Sequence, residues 1–209
     1  DDPAVVARNR AQLAELAGLP SVPHWLKQVH GIEVVRVEIP ADPAAAEPVA
    51  DALVTSTPGV VLAILTADCL PVVSAAKDGR EIAAAHAGWP GLSKGMLEAT
   101  LTAMRTPVTD VIAWMGPAAG PQRYEVGENV FDAFVSQDAG AAMAFAPTRP
   151  GHWLADLPAL ARRRLVARGM RAGDIHGGGL CTISEPERFF SHRRDGRSGR
   201  IATLAWMQP

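Results

Sequence analysis

Cys69, His86 and His30 each stand where an apolar or β-branched stretch runs out, close to a glycine or a turn. The run Val60-Val61-Leu62-Ala63-Ile64-Leu65-Thr66 leads into Ala67-Asp68-Cys69. Downstream, Ile82-Ala83-Ala84-Ala85 ends in His86-Ala87-Gly88-Trp89, and upstream Lys27-Gln28-Val29-His30-Gly31 has the same layout. One thiolate and two imidazoles suit zinc or copper, and three protein ligands leave a fourth position open. An open position marks a catalytic zinc, whose bound water reaches a pKa of about 7. Asp68 is the neighbouring candidate for moving protons. Successive strand residues face opposite sides, so Asp68 shares a pocket with Cys69 only where the chain bends, and Pro71 favours a bend. The same residue types also fit a metal-free centre. Cys69 would then be a nucleophile activated by His86 or His30, with N–H groups near Gly88 facing an oxyanion.

A second cluster is Phe189-Phe190-Ser191-His192-Arg193-Arg194-Asp195-Gly196-Arg197-Ser198-Gly199-Arg200. It reads as a solvated, charged turn or as an anion site, since adjacent guanidiniums match phosphate oxygens with their fork geometry. Gly116 to Pro121 and Tyr124-Glu125-Val126-Gly127 form a stiff loop without the lysine and spacing of a phosphate-binding loop. They read as pocket wall or plain connection. His24, His152 and His176 have no comparable setting.

The elements that must carry these residues follow from pattern and punctuation. Asp2 can cap a helix that Pro3 opens, with Val6, Leu13 and Leu16 on one face and Gly18 as stop. Residues 24–37 read as extended and 41–48 as loop. Strands are expected at 52–56, 60–66, 72–75 and 82–85, the last two joined by the hairpin signal Lys77-Asp78-Gly79. A helix is expected at 92–105, a strand at 108–115, and helices at 126–136 and 157–168, the last capped by Asp156 and stopped by Gly169. Strands at 174–184 and 200–207 close the chain. Strands cluster without βαβ alternation, which favours an α+β mixed sheet.

At 209 residues, 48% of them hydrophobic, the chain can bury one substantial core. A net charge of −2 with interspersed signs lacks the basic footprint of a nucleic-acid binder. No run approaches a membrane span, and no signal peptide is visible. Two cysteines far apart make a poor disulfide framework, so the cytoplasm is the expected compartment.

Six motifs in order carry a family resemblance: Lys27 to Gly31, Ala50-Asp51-Ala52-Leu53-Val54, Thr66 to Val72, His86 to Trp89, Gly116-Pro117 with Tyr124 to Gly127, and Cys181-Thr182 with Phe189 to Arg194. Together they resemble the YfiH/laccase-domain family, whose bacterial members are called polyphenol oxidase, purine nucleoside phosphorylase or peptidoglycan editing factor. The resemblance runs from about Asp1 to Trp206. It implies one domain over 1–209 with mixed β-sheets layered with helices, similar to the cytotoxic-necrotizing-factor deamidases. It implies Zn2+ held by His30, Cys69 and His86, copper being the older assignment. The implied activity is phosphorolysis of adenosine, inosine, guanosine and methylthioadenosine, with adenosine deamination beside it. Nucleoside and phosphate are then the partners.

On that resemblance Asp68, Cys69 and His86 are the catalytic candidates, and Lys27, Gln28, Arg193 and Arg194 those for substrate and phosphate. Laccase chemistry fits poorly, because several coppers would have to share two Cys and six His. A Cys–His amidase acting on peptidoglycan precursors and a non-catalytic zinc module are the other readings. Two departures stand out. Pro90 follows His86-Ala87-Gly88-Trp89 where the family usually has Arg, and a Gly/Ser/Asn-rich segment usual ahead of the first helix is expected to be absent here.

Overall fold

The computed structural model describes residues 2–208. In chain order its elements are α1 (Pro3–Leu16), β1 (Val34–Arg36), β2 (Ala52–Thr55), β3 (Leu62–Thr66), β4 (Leu70–Ala76), β5 (Ile82–Ala87), α2 (Trp89–Lys94) and α3 (Met96–Ala103). These are followed by β6 (Val111–Met115), β7 (Glu125–Gly127), α4 (Glu128–Val135), β8 (Phe145–Arg149), β9 (His152–Ala155), α5 (Leu157–Ala167), β10 (Ile175–Gly177), α6 (His192–Asp195) and β11 (Ile201–Ala205). The fold is α+β with mixed sheets, as expected.

The central sheet has the order β1-β2-β5-β4-β6-β10. Its outer pairs β1/β2 and β6/β10 are parallel and its inner pairs antiparallel. Strands β2 and β5 are buried on both faces, whereas β6 exposes Ile112 and Trp114 on one. Val72, Ala83, Ala85, Ala113 and Met115 pack with Leu97 and Leu101 of α3 and Leu160 and Leu165 of α5 in one core. On the other face, Leu53, Ile82 and Ala84 pack with Leu62 and Ile64 of the two-stranded β3-β11 sheet. Each such aliphatic side chain, fully buried, stabilises the fold by about 1.5–3 kcal/mol. A third sheet, β7-β9-β8, leans on α4, where Phe131 stacks on Trp153 at 4.4 Å between centroids.

Strand alternation sets what lies at the open end of the layer between the first two sheets. On β5 the face of Ile82 and Ala84 continues to His86. On β3 the face of Leu62 and Ile64 continues to Thr66. One residue before β2, Asp51 extends the face of Leu53 and stands opposite His86.

Several elements differ from expectation for local reasons. The helix expected over 92–105 is two helices, because Gly95 adopts φ +105° and turns the chain between them. Residues 125–127 form β7 rather than the start of a helix, and of 174–184 only β10 is strand, since Gly177 and Gly178 both take positive φ. Within 24–37 only β1 is a regular strand, with isolated bridges from His24 and Lys27. Helix α1 is capped by Asp2 as expected but buries none of its residues, and Leu16 is 87% exposed. The hairpin β8-β9 was not foreseen, because β8 is almost wholly solvent-facing and shows no apolar alternation.

Candidate active site

Between β3 and β4 the chain turns through Ala67-Asp68-Cys69, with Asp68 at φ +86°. Left-handed backbone is uncommon for a non-glycine residue and needs its surroundings to hold it. Asp68 is held three ways. Its Oδ1 accepts the Thr182 hydroxyl at 2.6 Å, its Oδ2 accepts the Arg193 N–H at 2.6 Å, and its carbonyl accepts the Ala119 N–H at 2.8 Å. The turn therefore presents Cys69 toward the mouth of the inter-sheet layer.

His30 has the second positive φ outside glycine, +59°. Its turn is caged by Asp51, which accepts the N–H groups of Val29, His30 and Gly31 at 3.2, 2.9 and 2.7 Å. The same carboxylate accepts Nδ1–H of His86 at 2.8 Å, and Asp51 is fully buried. That bond fixes the His86 tautomer and leaves Nε2 facing Cys69 and His30, the usual support of a metal-binding imidazole.

The ligand atoms of His30, Cys69 and His86 lie within 4.8 Å of one another. Cys69 Sγ and His30 Nε2 are 3.5 Å apart. Across a tetrahedral zinc, bonds of about 2.3 Å to sulfur and about 2.0 Å to nitrogen give a similar spacing. The residues fit a zinc or copper ion on both chemistry and geometry. Gly88 makes the convergence possible: a Cβ there would sit 2.7 Å from His30 Cδ2 and 2.9 Å from Cys69 Sγ.

Without metal, Cys69 and His86 share a proton inventory. Burial pushes the Cys69 thiol up, but hydrogen bonds from His30 and His86 outweigh it and bring its pKa down to about 7. Burial disfavours charged His86, yet Asp51 and the Cys69 sulfur raise it to about 9. Metal requires the thiolate and the neutral imidazole. At neutral pH His86 must then give up its proton on loading, and a fraction of Cys69 as well. Calorimetry of zinc uptake at pH 7 in buffers of different ionisation enthalpy should show release of between about one and two protons, with affinity weakening as pH falls. Uptake without proton release would contradict this charge state.

Two lobes of a cleft meet at His30, Ala67, Cys69 and His192. One, about 490 Å³, carries Val29, Trp89, Pro90, Tyr124, Asp68 and Arg193. The other, about 430 Å³, carries Gln28, Thr66, His86 and Arg200. Arg193 reaches over the Tyr124 ring at 4.8 Å and donates to the Glu125 carbonyl. Arg194, expected to help clamp an anion, is taken up by neighbours within the fold. Its donors go to the carbonyls of Thr182, Ile183 and Phe189 and to Asp195, so it braces the 182–195 segment. Lys27 is exposed and lines neither lobe. Gln28 lines one, but its amide is paired both ways with the backbone of Leu65 at 2.8 Å. Pro90 lies in the first turn of α2 at the rim of the aromatic lobe.

Asp51 and Thr182 fall within the motifs that carry the family resemblance but were given no role from sequence. For Asp51 the signal was present: a lone carboxylate inside the apolar stretch Val49-Ala50-Asp51-Ala52-Leu53.

A family described as multi-copper polyphenol oxidoreductase laccase matches residues 1–208. This chain belongs to that family. A Xylella fastidiosa relative of the laccase-family chain, named "Purine nucleoside phosphorylase", is 62% identical over 209 residues, covering 99% of this chain and 80% of that protein. "Purine nucleoside phosphorylase YfiH" of Escherichia coli is 45% identical over 207 residues, covering 99% and 83%. A crystal structure of a Neisseria meningitidis protein of the DUF152 family superposes with TM-score 0.92 at 43% identity, over 100% of this chain and 84% of that one. YlmD from Geobacillus stearothermophilus gives TM-score 0.89 at 32% identity.

The family's title names several coppers, but among the described residues of this laccase-family chain one group, His30 with Cys69 and His86, could hold a metal. Another concavity, about 950 Å³, lies elsewhere, around Lys77, Arg80 and Arg105. It is a shallow, charged surface with none of the metal ligands, so chemistry is assigned to the smaller cleft. No described helix is long and apolar enough to cross a membrane.

Proposed function

We propose that this chain is a zinc-dependent purine nucleoside phosphorylase that also deaminates adenosine. The observation that carries the reading is the His30–Cys69–His86 centre at the junction of an aromatic lobe and a polar one. Its agreement with the names of close relatives supports it. A centre of this kind, when loaded, acidifies a water in the open position and polarises an oxygen bound there.

The chain's own residues do the rest. Trp89, Tyr124 and Val29 offer apolar faces against which a purine stacks out of water. Asp68 lies in the same lobe with both oxygens already accepting one hydrogen bond each. Each oxygen keeps a second lone pair, so Asp68 can accept a proton from a water and return it to a ring nitrogen or departing amine. In phosphorolysis a phosphate oxygen forms the new bond to the pentose C1′ while the bond from C1′ to the base nitrogen breaks, and the base leaves with that electron pair. Asp51, holding His86 and the His30 turn together, keeps the ligand set in place throughout.

A second reading rests on Cys69, whose thiol is lowered to about 7 beside two imidazoles. That pair could serve as the nucleophile and base of an amidase. Incubating the protein with adenosine, with and without phosphate, and separating products by chromatography tests the first reading. Adenine and ribose 1-phosphate should form only with phosphate, and inosine in either case. Zinc-loaded protein that forms no product would leave a non-catalytic zinc module.

A further inference from the structure

The polar lobe holds a hydroxyl that the fold does not use. Thr66 is 1% exposed, and its Oγ1 has no protein hydrogen-bond partner. Such a group costs about 1–3 kcal/mol if left unpaired, whereas a valine of the same shape would not. Thr66 ends β3 on the inward face, opposite His86, and lines the lobe. Its register partner on β11 is Ile201, which places Arg200 beside it at the edge of the same two-stranded sheet.

Arg200 also lines the lobe. Its Nη1 donates to the carbonyls of Ser198 and Gly199, while Nε and Nη2 have no protein acceptor among the described residues. Gln28 keeps its second amide N–H after pairing with Leu65, and His192 adds a ring nitrogen. No carboxylate lines this lobe, in contrast to the aromatic lobe with Asp68. Beside the apolar Leu26, Leu65 and Ala67, the lobe thus offers one guanidinium, an amide N–H and a hydroxyl on one side of Cys69, a donor set that suits an oxyanion.

We infer that Thr66 and Arg200, with His192 and Gln28, form the subsite for inorganic phosphate, set across the metal ligands from the purine lobe. This deepens the proposed phosphorylase reading and rests on it for the substrate's identity. It assigns the anion to Arg200 rather than to Arg194, whose guanidinium is taken up by carbonyls of the 182–189 segment and by Asp195.

The test compares Arg200→Gln and Thr66→Val with the unaltered zinc-loaded protein. For each variant the KM for phosphate should rise about 10–100-fold, the range of a lost hydrogen bond to a charged group, while the KM for adenosine stays within about twofold. Thr66→Val should melt at the same temperature or higher, whereas a hydroxyl with a purely structural role would lower it on removal. A variant that raises the KM for adenosine and leaves that for phosphate unchanged overturns the subsite. Should the unaltered protein cleave no nucleoside, the proposed reaction falls by itself. Titration of inorganic phosphate followed by 31P line broadening then decides the subsite: binding lost in Arg200→Gln supports it, and binding equal in both proteins overturns it.

Discussion

The His30→Asn protein is expected to lose tightly bound zinc and, with it, phosphate-dependent cleavage of adenosine. Asparagine tolerates left-handed backbone better than most residues, so the turn at φ +59° and its three N–H bonds to Asp51 can persist. The shorter side chain no longer reaches the position beside Cys69 Sγ. Removing a supporting hydrogen bond from a metal ligand costs about 10–100-fold in affinity, and removing the ligand itself should cost more. The variant also separates the two chemistries of the centre. Cys69 would keep His86, which is hydrogen-bonded to buried Asp51, so a thiol enzyme would retain a nucleophile and a base. Metal content by mass spectrometry and turnover before and after thiol alkylation decide the matter. Activity that survives without metal and is abolished by alkylation would sink the zinc reading in favour of the thiol one.

A comparably large effect is expected from Asp51→Asn, this time on stability as well as on metal. Asp51 accepts four hydrogen bonds within a fully buried site. An amide in its place must turn N–H groups toward backbone N–H groups, and it leaves a protonated His86 without a counter-charge. Breaking a buried pair from one side costs about 3–5 kcal/mol. Zinc affinity should fall about 10–100-fold, because His86 loses the acceptor that orients it.

The pH dependence follows from the direction of each shift. Burial disfavours the Asp51 carboxylate, but His86 and the N–H groups of Gly31 and Val29 bring its pKa down to about 2 from an ordinary 3.8. Its contribution is therefore complete above about pH 4 and is lost as pH falls through 2. His86 is raised to about 9 from 6.5. Its contribution is complete below about pH 6.5 and is lost as pH rises through 9. The metal-free protein should gain most from the pair between about pH 4 and pH 6.5, and Asp51→Asn should flatten that window. Denaturant titrations of both proteins at pH 5, 7 and 9 measure it. Equal losses on the alkaline side would show that the pair is not the cause.

The grouping of His30, Cys69 and His86 was legible in the sequence because each ends a segment whose pattern reveals a strand or a turn. Cys69 and His86 come together because β4 starts just after Cys69 and pairs antiparallel with the end of β5. The supporting groups were less visible. Asp51 acts through backbone N–H groups on the His30 turn, and no spacing encodes a bond of that kind. Arg194 looked like an anion ligand because guanidinium chemistry suits one. Its actual partners are carbonyls at 182, 183 and 189, which converge on it only after the loop has folded. Thr66 and Arg200 are far apart in the chain and meet through the β3-β11 pairing, a contact that strand patterns do not specify. The same limit explains the helix expected over 92–105: its apolar period continues through Gly95, but the backbone there turns left-handed and starts a second helix.

The shared ridge of His30, Ala67, Cys69 and His192 has a consequence for the order of events in turnover. If purine and phosphate occupy the two lobes as proposed, neither closes the door behind which the other must enter. On that proposal binding should be random rather than compulsory in sequence: at equilibrium, raising phosphate and ribose 1-phosphate together should not abolish exchange between adenosine and adenine, and raising adenosine and adenine together should not abolish exchange between phosphate and ribose 1-phosphate. Purine base and pentose 1-phosphate can likewise depart from opposite sides of the metal ligands, so neither product has to wait for the other to leave.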